Sequence, residues 1–158
     1  MPPPDASVRF HRQDPEVVLG LMDELSRAEQ GWINLSPEVA EETISGPGVF
    51  PFLSARGPQV PLCTWMPAAP RRRRRIPPSV GIQHATGPRV VARLAQLGHP
   101  APDGWWVAQD HPRRGLVLEV RVEETNYRLL QWLMTAGEVL CPLDLTGSWS
   151  AAVYRRRA

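Results

Sequence analysis

Apolar residues recur at helical spacing early in the chain. Val17, Val18, Leu21, Met22 and Leu25 share one face, Asp14 and Pro15 form an N-terminal start signal, and Gly31 marks the stop. Trp32 to Leu35 reads as short and extended. Ser36-Pro37-Glu38 then opens a predicted second helix to about Ile44, before the breaker Gly46-Pro47-Gly48. Val49 to Ala55 and Gln59 to Met66 flank Arg56-Gly57-Pro58 as the arms of a hairpin. Pro51 and Pro61 confine those arms to edge or bulged positions, because proline cannot donate to a ladder.

Past residue 78 the pattern becomes simpler. Ser79 to His84 is an extended run. Thr86-Gly87-Pro88 opens a helix that buries Val90, Val91, Leu94 and Leu97 and closes at Gly98. Trp105 to Gln109 and Leu116 to Val122 alternate as strands about a turn at 110–114, and a long helix over 123–140 carries Leu130, Leu133, Met134 and Gly137 at helical spacing. Trp149 to Tyr154 is the last strand. The order β-α-β-β-α-β predicts an α+β, ferredoxin-like unit: a split β-α-β with two helices on one face of an antiparallel sheet. The expectation is one domain over 1–158. Its parts are a helix plus hairpin at 13–66 packed on the unit, an Arg/Pro connector at 67–78, and the βαββαβ unit at 79–157.

Composition sharpens this picture in three ways. All 18 basic residues are arginine, which a GC-rich genome explains, but every cation is therefore a planar fork for carboxylate or phosphate, and none is a Schiff-base amine. The net charge of +2 becomes −6 once Arg71–Arg75 and Arg155–Arg157 are set aside, so an acidic body carries two basic tags. That opposes a broad nucleic-acid face. Cys63 and Cys141 stand far apart without metal spacing and read as free thiols rather than a disulfide. The opening residues lack an apolar signal core and no run reaches membrane-spanning length, which predicts a cytoplasmic chain that does not enter membranes.

Two sets of residues are candidates for chemistry. If the split βαβ holds, His84, Thr86, Gly87, Asp110, His111, Arg113, Arg114 and Ser148 converge on one rim. Helix amides and guanidinium forks there would hold an anion. A catalytic version pairs Asp110 with His111 as acid and base, with Arg113 or Arg114 on an acidic or phosphorylated small substrate. Against it, neighbouring side chains in a turn diverge, and no activated serine or cysteine nucleophile accompanies them. The second set is Arg71, Arg72, Arg73, Arg74 and Arg75, expected on an exposed polyproline-like loop. They could take nucleic-acid phosphates without sequence preference, or pair with Glu38, Glu41 and Glu42. The strands expected at the sheet centre, SVGIQH and GLVLEVRV, contain no aromatic, which opposes base stacking there.

His11, His84, His99 and His111 are isolated along the chain, so no metal and no cofactor are expected. Trp105 and Trp106 are consecutive in a strand and must face opposite ways. One belongs under the helices; the other stands beside Gln83, Glu119 and Arg121 and needs cover from the N-terminal helix and hairpin, or from a partner. Together these features favour a non-catalytic binding module for an anionic small molecule or an acidic or nucleic-acid partner. An enzyme and a homodimerising interaction module are the alternatives.

Overall fold

The computed structural model describes residues 2–41, 57–121 and 123–156. Seven strands form one antiparallel sheet and two more form a separate hairpin. In chain order the described elements are β1 (Ala6–His11), α1 (Glu16–Ala28), β2 (Trp32–Val39), β3 (Leu62–Met66), β4 (Ala69–Arg71) and β5 (Arg74–Ile76). They continue with β6 (Ser79–Gln83), α2 (Val90–Gln96), β7 (Trp105–His111), β8 (Gly115–Val120), α3 (Asn126–Leu140) and β9 (Leu145–Tyr154). The sheet order is β1-β9-β2-β3-β6-β8-β7. This is a mixed α+β structure with a large antiparallel sheet.

Alternation decides which face is covered. Ile33, Leu35, Cys63, Trp65, Val80, Ile82, Leu116, Leu118, Ala151 and Val153 are in register with one another, point to one side and are buried. Against them lie Val18, Met22 and Leu25 of α1, Val90 and Leu94 of α2, and Leu129, Leu130, Leu133 and Met134 of α3, in one continuous core. The other face carries Ser7, Ala152, Asn34, Thr64, Gly81, Val117 and Gln109 in a single row across all seven strands. The Thr64 hydroxyl donates to Asn34 Oδ1 at 2.9 Å within that row.

The ferredoxin-like expectation for 79–157 is met by β6-α2-β7-β8, in which β6 and β7 run parallel with β8 between them. It is not met by β9. In that arrangement the last strand lies beside β6, whereas here β2 and β3 are interposed and β9 lies between β1 and β2. The physical reason is β1, whose alternation of Ala6, Val8 and Phe10 with polar residues makes a strand that the sequence reading passed over. With β1 and β2 parallel on either side, β9 completes a second split β-α-β around α1.

Three further expectations are corrected. The predicted helix from Ser36 begins inside β2 instead: Pro37 pairs with Trp149, and a bulge between Pro37 and Val39 absorbs the proline. The hairpin arm at 49–55 lies outside the described residues, and β3 pairs with β2 and β6. Finally, α1 packs beside α3 in the helix layer, so it does not cover Trp106. At the β7 edge a bulge between Val107 and Gln109 breaks the ladder, a device that blunts pairing with a further strand.

Candidate functional site

The rim at the C-terminal ends of β6 and β7 forms only in part. Asp110 is in register with Leu116 and points toward the helices, while His111 is in register with Gly115 and points to the opposite face. They do not meet. Both Asp110 oxygens are already engaged: Oδ1 accepts from the Val90 amide and Oδ2 from the Val91 amide, each at 3.1 Å. The residue at the α2 N-cap position, Arg89, is in the left-handed conformation and caps nothing with its side chain. A carboxylate from β7 therefore fills the position in which an external anion was expected. Thr86, Gly87 and His84 lie on this helix side, and the His84 Nδ1 accepts from the Thr86 amide at 3.2 Å.

His111 is spent in its turn, where Nδ1 accepts from the Arg113 and Arg114 amides at 3.1 and 3.2 Å. Arg113 is exposed at the loop, and Arg114 lines a small groove of about 140 Å³ over Gly81, with Thr64, Met66 and Val117. Ser148 pairs with His11 on β9, three strands from β6, roughly 14 Å at the usual strand spacing. The acid-base pair and the single anion pocket do not assemble from these residues.

His84 itself is buried at 1 % exposure, and its Nε2 has no hydrogen-bond partner among the described residues. Because Nδ1 accepts, the neutral ring carries its hydrogen on Nε2. Burial holds its pKa below the ordinary 6.5, against a smaller opposing pull from Asp110. A ring harder to protonate folded than unfolded lets the unfolded chain bind the proton first. The stability it contributes is intact above the ordinary value and declines as pH falls through it toward the folded-state pKa. Melting temperatures measured from about pH 7.5 to pH 5 should therefore fall more steeply for the natural chain than for His84→Gln; parallel curves would show that His84 plays no such part.

The cysteines are free. Cys63 is fully buried, its thiol directed at the Leu133 carbonyl at 3.8 Å, and burial pushes its pKa up, as it does for Cys141. Neither environment activates a nucleophile. No cluster of three or more His, Cys, Asp or Glu side chains suited to a metal occurs among the described residues.

The arginine run is not a polyproline-like loop. Ala69–Arg71 pairs with Arg74–Ile76, and Arg72 turns the chain in the left-handed conformation. Arg71 to Arg75 are all exposed. Arg75 forms an ion pair with Glu29 at the end of α1, rather than with Glu38, whose partner is Arg9 at 2.7 Å. Glu42 lies outside the described residues. Arg71 stands directly across the ladder from Arg74, and Arg71 to Arg74 have no carboxylate partner among the described residues. The hairpin leaves the sheet between the end of β3 and the start of β6, so it lies at the end opposite the Asp110 rim.

Trp105 and Trp106 divide as expected. Trp105 packs at 5.2 Å on Trp132 of α3, whereas Trp106 is 59 % exposed on the other face, with the Arg121 guanidinium 5.4 Å from its ring centroid. The sequence pattern set one of the two tryptophans beside Gln83, Glu119 and Arg121 without choosing between them; Gln83 lies at the far end of β6, and Trp106 and Arg121 sit at the hairpin end of the sheet. The signal for that placement was the pairing of Trp106 with Glu119 and of Glu119 with Ser79, which follows the hairpin after two prolines. Compared with family models, curated proteins and solved structures, the chain matches none.

Proposed function

We propose that this chain is a non-catalytic binding module whose anionic partner docks on the Arg71–Arg75 hairpin. The observation that carries the reading is the facing of Arg71 and Arg74 across a two-stranded ladder with no acidic partner among the described residues. Like charges placed directly opposite in a ladder repel. A bound polyanion relieves that repulsion and uses guanidinium forks suited to phosphate and carboxylate. The acidic remainder of the chain directs such a partner to the hairpin instead of letting it spread over the surface.

Thermal stability of the pure protein with inorganic polyphosphate, phosphorylated metabolites and oligonucleotides, at low and high salt, tests this. Polyanions should raise the melting temperature at low salt and lose the effect at high salt. Joint replacement of Arg71, Arg72, Arg73 and Arg74 by serine should remove the response, and Arg113→Ala with Arg114→Ala should leave it intact. Stabilisation by a small phosphate that survives salt and disappears only in the Arg113/Arg114 variant would move the site to the rim and overturn the proposal.

A further inference from the structure

The polyanion reading leaves Trp106 unexplained. A large indole standing 59 % exposed on a sheet face gives a purely ionic partner nothing to bind. Its position supplies the link. The row Met66–Ser79–Glu119–Trp106 runs across the sheet at the end from which the arginine hairpin leaves, and Trp106 lies two strands, roughly 10 Å, from Ser79. Arg75 and Arg121 both line one broad groove of about 1000 Å³, together with Pro77, Pro78 and Val120. Arg121 in turn stacks on Trp106. Guanidinium forks, prolines and an indole are thus continuous along one end of the molecule.

Resting on the proposed anion-binding role of the hairpin, we infer that this groove seats single-stranded nucleic acid. Phosphates lie along Arg71–Arg75 and Arg121, and an unstacked base lies on Trp106. A cationic track joined to an exposed aromatic is what sequence-tolerant single-strand binding requires, since every base has a π face to offer. A duplex keeps its bases stacked on one another and cannot cover the indole.

The exposed indole, and not the carboxylates near it, separates nucleic acid from an acidic peptide. Glu123 and Glu124, in the segment before α3, line the groove, Glu124 paired with Arg128 at 3.0 Å; Glu119, on β8 opposite Trp106, is paired with Arg121 at 3.1 Å. They repel the carboxylates of an acidic peptide and the phosphates of a nucleic acid alike. Guanidinium forks beside an exposed indole match a ligand that carries both phosphates and flat unstacked rings, and a polyglutamate offers no such ring.

Fluorescence anisotropy of the full chain with a labelled single strand of ~12 nucleotides tests this. The duplex of the same sequence, inorganic polyphosphate and a polyglutamate peptide serve as competitors. The single strand should compete best. Trp106→Ala should weaken single-strand binding about tenfold while leaving polyphosphate binding unchanged; because the side chain is exposed, the variant should keep the natural circular dichroism spectrum. The four-arginine serine variant should lose both ligands. Affinity should fall with salt at a log–log slope of about 3, as for some four phosphates on a single strand. If Trp106→Ala binds the strand as the natural chain does, or polyphosphate or polyglutamate competes equally, the inference fails and the hairpin's anion-binding role stands. If no polyanion binds, both fail.

Discussion

Gly137→Ala should destabilise the protein although alanine is the better helix residue, and Gly137→Val should cost about 3 kcal/mol. Gly137 lies within α3 against the sheet: a β-carbon there would lie 2.9 Å from Cys63 Sγ and 3.0 Å from the Trp149 ring. Neither neighbour can readily move. Cys63 is fully buried and directed at the Leu133 carbonyl, and the Trp149 indole donates to Glu138 Oε1 at 3.2 Å, a carboxylate also paired with Arg12. Helix propensity favours alanine by about 1 kcal/mol, and overpacking a filled core opposes it by ~1–3 kcal/mol, so packing decides the sign. Gly20 of α1 is the control, because nothing lies within 4 Å of its β-carbon position. Gly20→Ala should gain most of that propensity term and raise the melting temperature by a few degrees (~2–4 °C per kcal/mol at this size). Urea titration of both variants checks the pair; a stabilising Gly137→Ala would mean that α3 can ride away from the sheet.

The second large effect is expected at Asp110. Asp110→Ala leaves the Val90 and Val91 amides without their acceptor at the start of a helix that has no side-chain cap of its own. Losing charge-assisted bonds to partly buried donors should cost ~2–3 kcal/mol. The same variant empties the position that Asp110 holds. Inorganic phosphate, compared with chloride at equal ionic strength, should raise the melting temperature of Asp110→Ala and not that of the natural chain. A phosphate response in the natural chain that survives replacement of Arg71, Arg72, Arg73 and Arg74 by serine would instead mean that the rim binds anions with Asp110 in place. No response in either chain would mean that the vacated position does not hold phosphate, and the stability loss alone would then measure the Asp110 cap.

Local structure was readable from the sequence wherever one period ran undisturbed. The stripe Leu130, Leu133, Met134 and Gly137 announced α3, and the alternation of Leu116, Leu118 and Val120 announced β8. Ser36-Pro37-Glu38 misled because a helix-start signal and a bulged strand use the same residues, and only the ladder to β9 distinguishes them. The position of β9 was hidden for a related reason. Short-range pattern says that a segment is a strand, but which strands it joins depends on β1, more than a hundred residues earlier.

The candidate site was legible as a set of residues and not as a geometry. Asp110 and His111 are neighbours in sequence, and the strand that carries them is what turns them apart. The arginines were plain, but their hairpin depends on Arg72 adopting a conformation that arginine seldom takes, which no spacing rule foretells.

The place of β9 also sets a schedule for folding. Among the described strands β1 pairs with β9 alone, and β2 needs β9 on one side, yet β9 is the last of them in chain order. At ordinary synthesis rates the stretch between β2 and β9 takes about 5–20 s to appear. Throughout that interval the β1-α1-β2 unit holds an empty slot one strand wide, with two unsatisfied edges. A copy whose β9 is already made can pair it with the β1 and β2 of a copy still waiting, so strand exchange between copies is the hazard this topology carries.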